Sequence, residues 1–486
     1  MSLSLLTLAA VVAPSTAHWY DGDFAPQDII TKDVVIIGGG SSGTYGAVRL
    51  REDYKKSVVV VEKGDRLGGH VNTYVDPLSG VAIDFGVEAY LRYGHSVEYF
   101  QRFGIAIAPY GSPPLPSIYV STTDGTNLTT YEPPAFPDVI AAFQRWLNVT
   151  STYKDQFGPG LWDFFAPGTI PTELLQPFGQ FATERNLTAA IPLLQTISNV
   201  GVGGLSDTLT LEVIFAFGQP VTAEFLNSSL FVPANHSNSY LYERAYDLLK
   251  ADVLLESEAT SVHRTDEGVT IVVQSRNGSR KLIKAKQLLF TPPPSVDNLA
   301  LYGLDANETD AISTFTKTWS FAAVARIPAI SSAIDVYWTS PHAVPNNQLD
   351  IRDGHWTLLA TTAPNVPATE YLFEVLFASD EPYTHAEAKI KISAEVQKAI
   401  EAGSFGLVNS STDCAVEFVA FVDHNSVLWR QNASTLQSGI VQDIYRLQGR
   451  KSTWFTGGLW AEDYSGNVWA FTDTVIPKIL DRLNKI

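Results

Sequence analysis

Three glycines stand at the spacing Gly38-x-Gly40-x-x-Gly43, directly after the apolar run Asp33 to Ile37. At this spacing the first glycine permits a tight turn and the second lets a pyrophosphate approach the backbone. The third lets a helix pack closely on a strand. Ser41 and Ser42 open the helix that follows, where free amide groups face phosphate oxygens. Glu62 ends the next apolar run, nineteen residues after Gly43. A carboxylate there accepts hydrogen bonds from ribose hydroxyls and repels a 2′-phosphate, which disfavours NADP. The bland alternative is a structural turn plus a surface acid. The strand before and the helix after the motif argue against it. Lys63 adjoins the acid, and Arg66-Leu67-Gly68-Gly69-His70 follows at once. A guanidinium suits phosphate oxygens, and a second glycine pair allows close approach. Gly86, in Ile83-Asp84-Phe85-Gly86, reads as a further close approach of chain to cofactor.

These residues need particular elements to hold them. Asp33 to Ile37 and Ser57 to Glu62 read as buried strands, and residues 43–53 carry Ala47, Val48 and Leu50 at helical spacing. That is a βαβ unit within about thirty residues, as a dinucleotide fold requires. Residues 18–31 read as a polar lead-in. Residues 96–240 contain amphipathic stretches such as Val139, Ile140, Phe143, Trp146 and Leu147, broken by Pro and Gly pairs, and read as a mostly helical insertion. Residues 240–250 read as a helix, and Val269 to Val273 and Leu288 to Thr291 as strands. Trp319 to Ile327, His355 to Thr362 and Tyr371 to Ala378 read as strands of a second sheet. His385 to Ala402 reads as a helix closed by Gly403. Trp454 to Gly458 is a last short strand and turn before a terminal helix.

The 486 residues are 45% hydrophobic, ample for a large core, and the net charge of −18 argues against a nucleic-acid partner. Leu3 to Val12 with Ser15-Thr16-Ala17 reads as a signal peptide over residues 1–17, although no Lys or Arg precedes the apolar run. Nine N-glycosylation sequons, at Asn127, Asn148, Asn186, Asn227, Asn235, Asn277, Asn307, Asn409 and Asn432, suit a glycosylated, secreted or lumenal protein. Cys414 is the single cysteine, so no intrachain disulfide can form. No later apolar run is long enough to span a bilayer.

Residues 33–90 resemble the FAD-binding half of the flavin amine oxidase superfamily, which includes monoamine oxidases and phytoene desaturases. Arg49-Leu50-Arg51-Glu52-Asp53, Arg66 to His70 and Tyr90-Leu91-Arg92-Tyr93-Gly94 resemble most the beta-cyclopiazonate dehydrogenase branch, whose enzymes use FAD to close a carbon–nitrogen bond. The likeness continues through Pro171 to Leu175 and the tail from Trp454 to Phe471. The resemblance implies an α/β fold: a Rossmann-type FAD domain of residues 31–95, 235–295 and 435–486. A discontinuous α+β substrate domain would comprise 96–234 and 296–434. It implies non-covalent FAD, Ala259 near adenine, and Gly457, Asn467 and Val468 along the flavin segment. Asn467 stands where amine oxidases carry an aromatic residue, so the paired-tyrosine cage for amines is not expected. Cys414 does not fall where some relatives anchor flavin. Lys317 is the weak candidate for a catalytic lysine, and His70, His95 and His424 read as structural histidines. The function expected is oxidation of an apolar small molecule by hydride transfer to flavin, with molecular oxygen as acceptor. A redox-neutral isomerase of a polyunsaturated lipid and a non-enzymatic flavin-fold binding protein are the rivals.

Overall fold

A computed structural model describes residues 21–485 apart from 112–113, 199–201, 203, 353–354, 368–369, 406–415, 425 and 429. The signal segment 1–17, Asn409 and Cys414 lie outside the described residues.

The first sheet is built around β1 (Ile29–Ile37), which pairs in parallel with β2 (Val58–Val61) on one side and with the strand Arg280–Phe290 on the other. Four successive valines in β2 suit a strand covered on both faces, and all four are buried. The parallel pair demands a crossover, and α1 (Ser41–Val48) supplies it. β1 starts at Ile29, earlier than the sequence suggests, because Ile29 to Thr31 pair with Leu282 to Lys284. The supposed lead-in is therefore partly sheet. Strand order is Val253–Leu254, β2, β1, Arg280–Phe290, Val269–Ser275, Ser257–Arg264. Thr453–Phe455 joins in parallel beside Leu288 to Phe290. The C-terminal helix Ser465–Leu483 packs on α1: Tyr45 stacks on Trp469 at 5.4 Å, and Asp473 accepts hydrogen bonds from Tyr45 and Arg49.

The second sheet runs Glu417–Asp423, Thr316–Arg326, Leu372–Ser379, Trp356–Thr362, Asp335–Thr339, Ser117–Ser121. The segment 96–240 thus contributes a strand to it, besides the helices Phe136–Thr152, Phe178–Glu184, Ile191–Ile197, Thr210–Ala216 and Gln219–Leu226. Period-two alternation gives this sheet two faces. Phe321, Ala323, Val375 and Phe377 pack with Ile392 and Val396 of the helix His385–Glu401. The alternate residues Ala322, Val324 and Leu372 pack with Ile83 and Phe85. Those two belong to a hairpin of β3 (Val71–Val75) and β4 (Ala82–Gly86) that grows out of the first sheet's glycine segment. The hairpin is the bridge between the two sheets.

Candidate active site

The three motif glycines are needed for three different reasons. A Cβ on Gly38, whose φ is +95°, would lie 2.5 Å from Thr291 Oγ1. One on Gly43 would lie 2.0 Å from the Gly38 carbonyl oxygen, so helix and strand touch there. At Gly40 the nearest heavy atom is Gly69 Cα, at 3.8 Å, and φ is an ordinary −69°. Nothing in the protein's own packing demands a glycine at 40. The space before it lies at the N-terminus of α1, where a pyrophosphate would sit, so these residues fit the cofactor. Gly69, at φ +56°, closes the opposite wall, 3.0 Å from Gly40 Cα by its would-be Cβ, and the Gly68 amide donates to the Gly39 carbonyl at 2.8 Å. Ser41 Oγ lies 3.2 Å from Ser465 Oγ and accepts from Tyr242. Ser42 and Gly457 meet at the same edge, and Gly457 has φ +126°.

Glu62 accepts from the Gly39 and Gly64 amides, both at 2.6 Å, so the ribose acid also braces the phosphate turn. Lys63 is exposed beside it. Ala259 sits on the strand Ser257–Arg264, two residues past Ser257, whose amide donates to the Glu62 carbonyl. Arg66, exposed, folds back on its own loop: it donates to the carbonyls of Leu67, Gly69 and Val71 and to Asn72 Oδ1. Its first task is to order the glycine loop. Gly86 has φ +101°, and a Cβ there would lie 2.0 Å from His424 Cε1, so the group that demands this glycine is a histidine of the second sheet. His424 and His70 stack at 4.5 Å, so two histidines read from the sequence as structural share one contact.

Val468 is buried in the first turn of the C-terminal helix, whose free amides give that end positive character. The Asn467 side chain points to buried Glu462, which also accepts from the Gly218 amide. Both border a cavity of about 160 Å³ with Tyr93 and Lys154. Burial pushes the Glu462 carboxyl up to about 8. Lys317 is exposed on the strand Thr316–Arg326 with its ammonium over the Trp319 ring at 5.7 Å.

Several residues of the interior went unnoticed in the sequence. Register places Ala322, Leu376, Leu359, Tyr337 and Tyr119 in one row across the second sheet, on the face turned toward the hairpin, with Val324, Glu374 and Thr361 beside them. Tyr119 and Tyr337 stack at 5.7 Å. Glu88, two residues past the hairpin, accepts from Tyr110 at 2.7 Å. Burial raises the Glu374 carboxyl, and Glu88 and Asp84 raise it further; burial also lifts Asp84, to about 7. The one signal in the sequence was an acid within Leu372-Phe373-Glu374-Val375-Leu376, an otherwise apolar strand.

Residues 36–103 match the NAD(P)-binding Rossmann-like domain family. An FAD-dependent oxidoreductase of Cochliobolus heterostrophus is 30% identical over 98% of this chain and 97% of its own. Beta-cyclopiazonate dehydrogenase of Aspergillus oryzae is 31% identical over 93% of this chain and 94% of its own. Among solved structures, a CLA-producing fatty acid isomerase from P. acnes superposes with TM-score 0.68 at 16% identity, covering 92% of this chain and 98% of that one. Cyclohexylamine oxidase from Brevibacterium oxydans gives TM-score 0.59 at 16% identity, over 93% and 99%. These two share the fold: a Rossmann-type domain joined to a second sheet, the amine oxidase-like architecture. Identity of this extent along nearly the whole of both chains, on a fold whose second motif glycine leaves room for a pyrophosphate, makes this protein an enzyme of the FAD-dependent oxidoreductase family to which those fungal relatives belong.

Proposed function

We propose that the enzyme dehydrogenates or oxidatively cyclises a fairly apolar small molecule, of the kind made in fungal secondary metabolism. Bound FAD, held non-covalently, supplies the two-electron acceptor for a hydride. The observation that carries the reading is the row of apolar and tyrosyl side chains facing the glycine-bearing hairpin, from Ala322 to Tyr119. Such a wall suits an apolar molecule, and concave sites usually combine apolar lining with a few polar groups. Here those groups are Glu88, Glu374 and Tyr110. Burial, then Glu88 and Asp84, raise the Glu374 carboxyl well above its ordinary value and so favour its protonated form, which can donate. Substrate oxidation also releases a proton, and Glu88, which accepts from Tyr110, is a group able to hold one.

The beta-cyclopiazonate dehydrogenase relative supports an oxidation, and with it we place the domain division at 31–95, 235–295 and 435–486 against 96–234 and 296–434. The sequence holds one strand–GxGxxG–helix unit, which supports molecular oxygen as the acceptor. Oxygen would take up two electrons and two protons and leave as hydrogen peroxide. An export signal and surface N-glycans belong to the same reading: seven of the eight described sequon asparagines are exposed, and Asn127 is half-buried. The test is to mix substrate-reduced enzyme with air-saturated buffer. Rapid return of the oxidised flavin spectrum with one peroxide per product is expected. Flavin that stays reduced in air but reoxidises with an artificial acceptor would make the enzyme a dehydrogenase with another partner.

A further inference from the structure

We propose that Asn72 and His424 are positioning residues of the FAD site, which through Arg66 tie the phosphate loop to the second sheet while His424 accepts a hydrogen bond. The inference rests on the FAD assignment and goes beyond it.

The geometry begins at Arg66. A guanidinium has donors and no acceptor, so the Asn72 atom that it meets is the amide oxygen. That fixes the orientation of the Asn72 amide, which no hydrogen position needs to be assumed to see. The Asn72 nitrogen then donates to the His70 carbonyl at 3.1 Å and lies 3.2 Å from His424 Nε2. Because the nitrogen is the donor, His424 Nε2 is the acceptor, and a neutral His424 carries its proton on Nδ1. Arg66 meanwhile holds the carbonyls of Leu67, Gly69 and Val71. One continuous chain therefore runs from the glycine loop to the end of the strand Glu417–Asp423. The His424 backbone amide is anchored there on the Ser320 carbonyl at 2.7 Å.

The fit around the ring is tight. His70 covers one side of it, and Gly86 leaves no room for a side chain on the other. The charged groups facing the pair are Arg66, Lys63 and Asp463, from the loop and from the segment before the C-terminal helix. On the second sheet, Asp423 is turned to His385 at 3.2 Å and leaves His424 unneutralised. Burial, then His70 and Arg66, hold the His424 pKa well below the ordinary histidine value. Protonation at Nε2 removes the acceptor and sets a cation against the Asn72 amide hydrogens. Acid should therefore loosen the phosphate loop, and with it the cofactor.

Because burial holds the His424 pKa well below the ordinary value, the test follows FAD release from the holoenzyme, by the rise in free-FAD fluorescence, from pH 8 down to pH 4. The wild type should release FAD about tenfold faster at the acid end, the scale of one lost hydrogen bond. His424→Gln keeps an acceptor, since its amide oxygen can face Asn72, but does not titrate; its release should be slow and nearly independent of pH. His424→Phe keeps the stack on His70 and lacks the acceptor, so its release should be fast at every pH. A His424→Gln enzyme with the wild-type pH profile would overturn the proposal, as would a folded His424→Phe enzyme that holds FAD like the wild type at pH 8. A wild type that binds no FAD at any pH would instead overturn the cofactor assignment, and the tie would fall with it.

Discussion

Replacing Gly40 by Ala separates the cofactor cradle from the fold. The added methyl group meets no protein atom closer than 3.8 Å, and the backbone at φ −69° admits any L residue. Reduced freedom of the unfolded chain favours the variant, while alanine is a poorer helix N-cap than glycine. These effects oppose each other, and apo-protein stability should change by less than about 1 kcal/mol. The cofactor has no such latitude. A methyl group forced against a closely packed partner costs about 1–3 kcal/mol, so FAD should bind roughly 5- to 150-fold more weakly. Gly43→Ala is the control: its methyl carbon would lie 2.0 Å from the Gly38 carbonyl oxygen, so it must destabilise the protein itself. The assay pairs thermal unfolding of the apo-protein with FAD titration by fluorescence quenching. If Gly40→Ala binds FAD as tightly as the wild type, the pyrophosphate does not pass this glycine and the assignment of the cradle is wrong. If Gly43→Ala is as stable as the wild type, the account of the helix–strand contact fails.

Three further outcomes are expected. Glu62→Ala should weaken FAD binding by about 1–3 kcal/mol, since a charged acceptor of hydrogen bonds is lost; unchanged affinity in a titration would remove Glu62 from the site. Mild acid or heat should release intact FAD, because the single cysteine of the sequence, Cys414, does not fall at the sequence position where some amine oxidases anchor flavin; flavin that stays with the denatured chain on mass spectrometry would refute this. Glu462 has a folded pKa of about 8 against an ordinary 4.5, so folding favours its protonated form. Its contribution is present at low pH and is lost as pH rises from about 4.5 to about 8, on the order of 1 kcal/mol per pH unit. Glu462→Gln should therefore flatten the fall of melting temperature between pH 5 and pH 8, and an equal fall in both proteins would show that another group titrates.

The parts of the site legible in the sequence are those fixed by local rules. Glycines at 38, 40 and 43 between an apolar run and a helix leave few alternatives, and four valines after a crossover read as a buried parallel strand. The early start of β1 was invisible because its partners, Leu282 to Lys284, lie some 250 residues away. Arg66 read as a phosphate ligand; only its neighbours' carbonyls reveal that it first orders the loop. Asn467 stood in register with a flavin contact, yet the turn into the C-terminal helix brings it to Glu462, five residues earlier. Gly86, His70 and His424 carry no shared local pattern, and their meeting depends on the hairpin crossing from one sheet to the other. Glu374 and Glu88 come together for the same reason.

The most direct test of the proposed oxidation is anaerobic. Purified holoenzyme is mixed, without oxygen, with metabolites extracted from a producing strain that lacks the gene, and flavin absorbance is followed while products are analysed by mass spectrometry. The account predicts that the oxidised flavin band bleaches in step with a product two hydrogens lighter than its precursor. A flavin that stays oxidised while a product of unchanged mass accumulates with shifted double bonds would contradict it, and would make the enzyme an isomerase.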